Sequence, residues 1–365
     1  MKILLLGEYS NVHWTLAEGL RALGHTVCVA SNGDFWKNYK RDISLERTLG
    51  SKFSTLSFYA KLAFALPRFR GYDIVQIINP MFLEMKAEKL FRIYDYLRKH
   101  NGKVFMGAFG MDYYWVSECR EHKPLRYSDF NFGDDLRTDS VAMREVYDWV
   151  GTSKQSLNEY IAKDCNGIIA GLYEYYVCYN RLYSKKLEFI PFPINLEQVV
   201  RTAPVVKDKV KFFIGISKER SVYKGTDIML CAVKQICHDF PNDCELRIAE
   251  SVPFEEYQKM MDSSHVILDQ LYSYTPAMNA LLAMGKGLVI VGGGEEENYV
   301  ILGEKNLRPI INVLPNEEDV YDKLKRLVMN KSEIKRLSDE SRLYIEKYHN
   351  HISVAQKYLS FWSEK

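Results

Sequence analysis

Residues 269–297 read DQLYSYTPAMNALLAMGKGLVIVGGGEEE, and this stretch indicates the fold. Thr275 followed by Pro276 predicts a helix that begins at this point, because threonine is a favoured N-cap and proline a favoured first-turn residue. A turn at residues 285–287 then leads into the apolar run Leu288–Val291, which is typical of a strand buried on both faces of a parallel sheet. The stretch therefore predicts one helix–turn–strand unit of an α/β domain.

The same alternation of short apolar runs and helical patterns extends on both sides of this stretch. The predicted strands are Ile3–Leu6, Val27–Ala30, Ile74–Ile78, Val104–Met106, Gly167–Ala170, Leu187–Ile190, Val210–Ile216, Glu245–Ala249, Val266–Leu268, Leu288–Val291 and Pro309–Val313. The predicted helices are Trp14–Leu23 and Ala87–Lys99, with further segments near 225–238, 254–263, 276–285, 317–329, 331–348 and 352–363. Strands that alternate with helices in this way predict βαβ units.

A polar connector at 196–208 separates the two series of strands. A length of 365 residues also suits two domains. We therefore predict an α/β fold with two Rossmann-like domains, 1–195 and 196–349, whose parallel sheets face each other across a cleft. A last helix at about 350–365 is expected to pack back on the first domain.

Composition excludes several classes of protein. The 49 Lys and Arg residues nearly balance the 47 Asp and Glu residues, so a dedicated nucleic-acid binder is not expected. The seven cysteines form no Cys-x-x-Cys pair, which argues against a zinc site or a catalytic dithiol. The chain has neither a signal-peptide pattern nor an apolar run of about 20 residues, so we expect a cytoplasmic protein. No Asp-x-Asp or ATP-binding motif is present, and we expect no metal and no cofactor.

Two loops of the second half are candidates for binding an anion. The predicted helix at Thr275–Met278 would present free N–H groups to a diphosphate, although an ordinary βαβ connection would look the same. Lys218, Arg220 and Lys224 follow the first strand of this half and could neutralise the same diphosphate. The alternative for these cations is a solvated basic loop. Both loops follow strands of one sheet and are therefore expected on the same rim.

In the first half, polar residues follow two predicted strands. The loop Gly7–His13 leaves the first strand, and its single glycine does not make a dinucleotide-binding fingerprint. Asp112 follows another apolar strand and could accept a hydrogen bond from a substrate hydroxyl. A structural histidine at His13 and a helix-capping role for Asp112 are the alternatives.

Several of these segments together resemble a known family. Five segments are similar to parts of retaining glycosyltransferases of the GT-B fold, most closely glycosyltransferase family 4. They are the run 282–290 (LAMGKGLVI), the Lys-Gly step at 224–225, the opening 5–10 (LLGEYS), the step 23–27 (LGHTV) and the phrase 190–195 (IPFPIN). The resemblance implies a nucleotide-sugar site in the second domain and an acceptor site in the first. The implied donor-side residues are Lys218, Arg220, Lys224, Tyr274, Thr275, Pro276, Ala277, Met278, Glu295, Glu296 and Glu297. The implied acceptor-side residues are Gly7, Glu8, Ser10 and Asn11, and the catalytic candidates are Asp112 and His13.

The sequence departs from the family at the paired glutamates, which would fall on Tyr274 and Leu282. Neither residue is acidic. The run Glu295–Glu297, which follows the next strand, could take over contacts with the ribose or the sugar. A solvated helix start is the plain alternative for that run. Otherwise the donor is bound differently, or activity is lost.

The resemblance implies an enzyme that transfers a hexosyl or related sugar from a nucleotide-sugar to a hydroxyl of a saccharide or lipid-linked acceptor. Retention at the anomeric carbon and a place in surface polysaccharide or glycoconjugate synthesis are further implications. A nucleotide-sugar epimerase of related fold and a non-catalytic nucleotide-sugar-binding scaffold are the alternatives.

Residues 47–71 contain five basic and no acidic residues, interleaved with aromatic side chains. This pattern suits peripheral contact with an anionic membrane, which would place the protein at the inner face of the membrane. An acceptor-binding flank in a soluble enzyme is the alternative.

Overall fold

Buried apolar strands form two parallel sheets, each in a separate unit of the chain. The computed structural model describes residues 1–47, 54–217, 221–250, 252 and 254–365. The first unit comprises Met1–Pro124, Glu145–Asn195 and His351–Lys365, and the second comprises Leu125–Arg144 and Leu196–Asn350. Residues 125–144 therefore group with the second unit, whereas the sequence-based boundary at 195 assigned them to the first domain. The reason is that residues of this segment, such as Arg126 and Arg137, form hydrogen bonds with loops of the second unit.

The strands of the described residues are short and mostly apolar. In chain order they are β1 (Lys2–Leu6), β2 (Thr26–Ser31), β3 (Ile43–Ser44), β4 (Ile74–Ile77), β5 (Lys103–Ala108), β6 (Asn131–Phe132), β7 (Asp135–Leu136), β8 (Gly167–Ala170), β9 (Leu187–Phe189), β10 (Val210–Ile216), β11 (Cys244–Glu250), β12 (Val266–Leu268), β13 (Val289–Gly292) and β14 (Ile311–Asn312).

The helices connect these strands. In chain order they are α1 (Val12–Ala22), α2 (Ser54–Ala65), α3 (Ala87–His100), α4 (Tyr113–Glu121), α5 (Ser140–Trp149), α6 (Ser153–Asp164), α7 (Tyr173–Tyr183), α8 (Ser221–Lys224), α9 (Thr226–Asp239), α10 (Phe254–Asp262), α11 (Met278–Gly285), α12 (Glu296–Leu302), α13 (Glu317–Met329), α14 (Lys331–Tyr348) and α15 (His351–Glu364). Sequence analysis did not predict α2, α4–α8 or α12.

The first sheet has seven strands in the order β3-β2-β1-β4-β5-β8-β9, and the second has five in the order β11-β10-β12-β13-β14. All neighbours in both sheets are parallel, so the predicted α/β class with two parallel sheets is confirmed. The side chains of Ile3–Leu6 and of Val289–Val291 are almost completely buried, as expected for strands covered by helices on both faces. Strands β6 and β7 form a separate antiparallel hairpin.

The last helix, α15, packs against α1 in the first unit. The contact is so close at Gly19 that a β-carbon there would lie 2.2 Å from the carbonyl oxygen of His351 and 3.0 Å from the β-carbon of Ala355. The absence of a side chain at Gly19 therefore permits this helix–helix contact.

We expect Gly19→Ala to lower the free energy of unfolding by about 1–3 kcal/mol, because overpacking outweighs the better helix propensity of alanine. Urea denaturation followed by circular dichroism measures the change. Ala22→Gly, at the exposed last residue of the same helix, is the control and should cost less than about 1 kcal/mol, because the full glycine penalty applies to helix interiors. A Gly19→Ala protein as stable as the parent would show that the two helices do not approach so closely.

Candidate functional site

The order of strands in the second sheet indicates where a ligand of that unit binds. Strands β10 and β12 are neighbours, but the chain runs from β10 to β11 on one side and from β12 to β13 on the other. Ligands of open parallel sheets bind outside the carboxyl ends of the strands at such a reversal. The loops that follow β10 and β12 are therefore the candidate site. Lys218 and Arg220, predicted in the first of these loops, lie outside the described residues.

Lys224 and Asp269 bring opposite charges together at this reversal. Asp269 directly follows β12, and burial raises the pKa of its carboxyl, while the nearby charge of Lys224 and a hydrogen bond from Asn279 oppose that shift. The Asn279 amide donates to Asp269 at 3.4 Å. The site thus contains a cation, a carboxylate and an amide next to the start of α11.

The two loops are also joined by their backbones. The N–H of Leu271 donates to the carbonyl oxygen of Lys224 at 3.0 Å. Gly225 has φ +72°, and a β-carbon there would lie 2.6 Å from the β-carbon of Leu271 and 2.9 Å from the ring of Tyr272. The Lys-Gly step noted in the sequence therefore has a steric reason, since only glycine fits this conformation at this distance.

Helix α11 begins two residues later than predicted. Its N-cap is Ala277, whose backbone is extended (φ −81°, ψ 175°), so Thr275 and Pro276 precede the helix instead of opening it. Residues Tyr274–Pro276 are buried, and Met278 is the first helical residue. No side chain caps this helix through a hydrogen bond. A helix N-terminus without a side-chain cap suits an anion.

The predicted glutamate run is already paired with basic side chains. Arg126 donates to the carboxylates of Glu295 (2.8 Å) and Glu297 (2.5 Å), and Arg308 pairs with Glu296. The carboxylate of Glu295 is largely buried and also accepts a hydrogen bond from the hydroxyl of Tyr127. The run is therefore part of an ion-pair cluster and not simply a solvated helix start.

Tyr274, at the position where the family has a glutamate, contacts the same cluster. Its hydroxyl oxygen accepts the backbone N–H of Arg126 at 2.7 Å, and the Arg126 guanidinium lies 5.1 Å from its ring centroid. The N–H of Glu295 donates to the carbonyl oxygen of Tyr274 at 3.1 Å, which holds the two loops together. A tyrosine and an arginine thus occupy the place that the resemblance assigned to an acidic side chain.

Residues 125–144, named here the crossover segment, supply Arg126 and a second arginine to these loops. Arg137 donates to the carbonyl oxygens of Val222 (2.9 Å) and Tyr223 (3.1 Å), and its guanidinium lies 4.1 Å from the ring centroid of Tyr272. The hydroxyl of Tyr223 donates in turn to Asp129 at 2.6 Å. Both candidate loops are therefore held by one segment.

Sequence analysis did not identify the crossover segment. Its clearest local signal is the Gly133-Asp134 step between β6 and β7, a two-residue connection that favours a hairpin. No pattern in the sequence indicates which loops the hairpin contacts.

The predicted loop of the first unit lies at the equivalent reversal, between β1 and β4. Ser10 and Asn11 have positive φ values of 51° and 71°, an unfavourable backbone conformation for residues with side chains. The N–H of Ser10 donates to Asp34 at 2.8 Å, and the ammonium group of Lys37 donates to the Ser10 hydroxyl at 3.1 Å. The loop therefore presents a polar, conformationally fixed surface at the carboxyl edge of the sheet.

Glu8 is buried at the start of α1, although it was predicted to line the acceptor side. Its carboxylate accepts the backbone N–H groups of His13 (3.1 Å) and Trp14 (2.9 Å). Burial raises the pKa of this carboxyl to about 8. Glu8 therefore acts as an internal cap of α1.

His13 is also buried. Its Nδ1 donates to the carbonyl oxygen of Gly7 at 2.8 Å, which leaves Nε2 as an acceptor with no hydrogen-bond partner among the described residues. Burial lowers the pKa of the imidazole to about 3, so the ring is neutral. These contacts make His13 a positioning residue for the loop after β1.

Asp112 is the N-cap of α4. Helix capping is the role that sequence analysis gave as the alternative to a hydrogen bond with substrate. Asp112 accepts the N–H of Trp115 (2.9 Å) and the hydroxyl of Tyr179 (2.8 Å). Its side chain is completely buried, and this burial raises the pKa of its carboxyl to about 7. The side chains of Asp112 and His13 are thus both buried, and their hydrogen bonds hold the backbone of the neighbouring loops.

Neither a cavity in the first unit nor the metal-ligating side chains of the described residues add to this site. A cavity of about 300 Å³ lies among α4, α6 and α7, and none of the predicted site residues lines it. Within the described part of the chain, no group of three or more His, Cys, Asp or Glu side chains could hold a metal ion.

Comparison with known proteins identifies the fold. No family model matches the sequence, and no curated protein sequence matches it. Sucrose-phosphate synthase from Thermosynechococcus elongatus superposes with a TM-score of 0.62 at 12% identity, over 100% of this chain and 98% of that one. Anabaena HepE, in complex with UDP and glucose, gives 0.61 at 10% identity over the whole of both chains. A UDP-GlcNAc 2-epimerase from Neisseria meningitidis bound to UDP-GlcNAc gives 0.54 at 11%, again over both whole chains.

These likenesses show that the chain has the GT-B fold, which confirms the predicted fold class. Membership of glycosyltransferase family 4 stays a prediction.

The raised pKa of Glu8 predicts a pH dependence of stability. The folded protein binds this proton more tightly than the unfolded chain, so the contribution of Glu8 to stability falls as the pH rises from about 5 to about 8. Glu8→Gln should therefore gain stability relative to the parent over this range, by about 1 kcal/mol or more. Urea denaturation at several pH values measures the difference. Glu255→Gln, at an exposed position, should run parallel to the parent, and a parallel Glu8→Gln curve would contradict the prediction.

The ion pairs of Arg126 and Arg308 predict that the two arginines contribute unequally to the free energy of unfolding. Arg126→Ala leaves the largely buried carboxylate of Glu295 without its cation, and we expect a loss of about 1–2 kcal/mol in unfolding free energy. Arg308→Ala breaks an exposed pair with Glu296 and should cost no more than about 1 kcal/mol. Urea denaturation of both variants tests this order, and a larger loss for Arg308→Ala would reverse it.

Proposed function

We propose that this protein is a glycosyltransferase that moves a sugar from a nucleotide-sugar donor to a hydroxyl of a saccharide or lipid-linked acceptor. The observation that carries the proposal is the group of Lys224, Asp269 and Asn279 at the strand reversal of the second sheet, beside a helix N-terminus without a side-chain cap. Solved structures of the same fold hold UDP, UDP with glucose, or UDP-GlcNAc.

The diphosphate of the donor would bind at the start of α11. Lys224 would supply a cation, and the first residues of the helix, Ala277 and Met278, would supply backbone N–H donors, whereas Pro276 has no N–H to donate. Lys218 and Arg220 belong to the same sequence motif and are proposed for the same role. Stabilising the negative charge that develops on the departing diphosphate would be the main contribution of this unit to catalysis.

The sugar or ribose of the donor would be recognised by the cluster of Arg126, Tyr274, Glu295 and Glu297. Arg126 is shared by two carboxylates, so the cluster retains both acceptors and donors for sugar hydroxyls. This arrangement would replace the two glutamates that the family resemblance places at Tyr274 and Leu282.

The acceptor would bind to the first unit at the loop after β1. Ser10 and Asn11 present polar groups beside Asp34 and Lys37 at the carboxyl edge of the sheet. Glu8, His13 and Asp112 would hold this loop and its neighbour in position without touching substrate, because all three side chains are buried.

Retention at the anomeric carbon and a role in surface polysaccharide or glycoconjugate synthesis follow from the resemblance. Determining the anomeric configuration of the product by NMR would test retention.

The donor assignment predicts that Lys224→Ala weakens UDP binding by about 1.5–3 kcal/mol, since a charged hydrogen bond to phosphate is lost. Isothermal titration calorimetry measures the change, after a thermal-shift screen of UDP, GDP, ADP and CMP has identified the base that binds best. Lys234→Ala, on the exposed side of α9, is the matched control and should bind like the parent. Unchanged affinity in a folded Lys224→Ala protein would overturn the assignment.

The likeness to a UDP-GlcNAc 2-epimerase supports a second candidate, conversion of a nucleotide-sugar without an acceptor. Incubation with the nucleotide-sugar alone separates the two, because an epimerase yields an isomeric nucleotide-sugar and a transferase requires an acceptor hydroxyl. Binding without turnover under either condition would indicate the non-catalytic scaffold.

A further inference from the structure

Helix α2 of the first unit is apolar on two opposite faces. Phe58, Leu62 and Ala65 are buried against the unit. At 100° per residue, positions 56, 60, 63 and 64 fall on the other side of the helix, within a sector of about 100°. They are occupied by Leu56, Ala60, Ala63 and Phe64, all of them exposed.

The outward stripe of α2 is unusual for a helix on the surface of a protein. The outer face of such a helix is normally polar, whereas a helix that is apolar all round is normally covered. Phe64 is 82% exposed, the largest exposure of any large hydrophobic side chain in the described ranges, and Leu56 is 68% exposed. An exposed apolar stripe of this kind is typical of a surface that contacts a membrane or another protein.

Basic groups lie near both ends of the stripe. Arg47 donates to the hydroxyl of Thr55 in the first turn of α2 at 2.5 Å, and Lys61 donates to the carbonyl oxygen of Glu46. Arg68 and Arg70 are exposed just beyond the C-terminal end of the helix. The whole stretch 47–71 contains no acidic residue.

We propose that the outward stripe of α2, with its rim of basic residues, docks on the surface of an anionic lipid bilayer. Phe64 and Leu56 would enter the boundary between headgroups and acyl chains, and Arg68 and Arg70 would contact lipid phosphates. Because the charged residues of this rim are all basic, we expect the stripe to bind an anionic membrane. This proposal does not rest on the proposed sugar transfer.

The geometry of α2 suits docking in the plane of the membrane. Its 12 residues give a length of about 18 Å, against about 30 Å for the hydrocarbon core of a bilayer. In the described part of the chain, no helix combines the length and the apolar character needed to cross a membrane.

Flotation of the full chain with vesicles tests the proposal. One set contains phosphatidylcholine alone, and the other contains equal parts of phosphatidylcholine and phosphatidylglycerol. We expect binding to the anionic vesicles only, weakened by added salt. Phe64→Ser should reduce this binding about tenfold, since one fully inserted aromatic side chain is lost.

The controls separate docking from unfolding and from general stickiness. Phe64 is exposed, so its replacement should leave the thermal unfolding curve unchanged. Met329→Ser removes a side chain that is 69% exposed in the second unit and should bind vesicles like the parent. Arg68→Gln combined with Arg70→Gln should weaken binding to anionic vesicles and reduce its salt dependence.

Three results would overturn the proposal. The first is absence of binding to anionic vesicles, and the second is equal binding by Phe64→Ser and the parent. The third is a dimer in sedimentation velocity that Phe64→Ser abolishes, because the stripe would then be covered by a second copy of the chain.

Discussion

The parallel arrangement of buried strands is the constraint on which the candidate sites depend. Parallel strands bring every loop that follows a strand to one edge of the sheet, and the reversal of strand order opens a place for a ligand at that edge. In the second sheet this reversal brings Lys224 beside Asp269 and joins their loops through the N–H of Leu271. In the first sheet it positions the loop with Ser10 and Asn11. Apolar strand sequences therefore determine where the polar chemistry lies.

The crossover segment adds an electrostatic element that the sheets alone do not provide. Glu295 and Glu297 would repel each other at the carboxyl edge of the second sheet, and Arg126 offsets part of this repulsion because it pairs with both. The hydroxyl of Tyr127 donates to Glu295, that of Tyr274 accepts the N–H of Arg126, and the two rings pack against each other with centroids 4.9 Å apart. These contacts explain how three consecutive glutamates can follow a buried strand.

The sequence predicted the strands well because periodicity and apolar runs are local properties. Strands β10 and β12 have the predicted bounds, and α13 and α14 agree residue for residue. Helix α2 was not predicted because it is apolar on both faces and its apolar residues therefore do not repeat with a clear 3.6-residue period. Arg126 is 169 residues from Glu295, and no local pattern connects them. The burial of Glu8 and Asp112 is also a tertiary property that no local pattern reveals. From the sequence, their positions after strands indicated contact with substrate, whereas in the structure both carboxyl groups accept backbone N–H groups at helix starts.

Capping also distinguishes the helix N-termini that can receive an anion. The start of α1 is occupied by the carboxylate of Glu8, and the start of α4 by that of Asp112. A phosphate at either end would have to displace a buried carboxyl group that already accepts the backbone N–H groups of that helix end. The start of α11 has no side-chain cap, and Lys224 lies in the neighbouring loop. Of these three helix ends, only α11 combines an N-terminus without a side-chain cap with a nearby cation, which supports the proposal that a donor diphosphate would bind to the second unit.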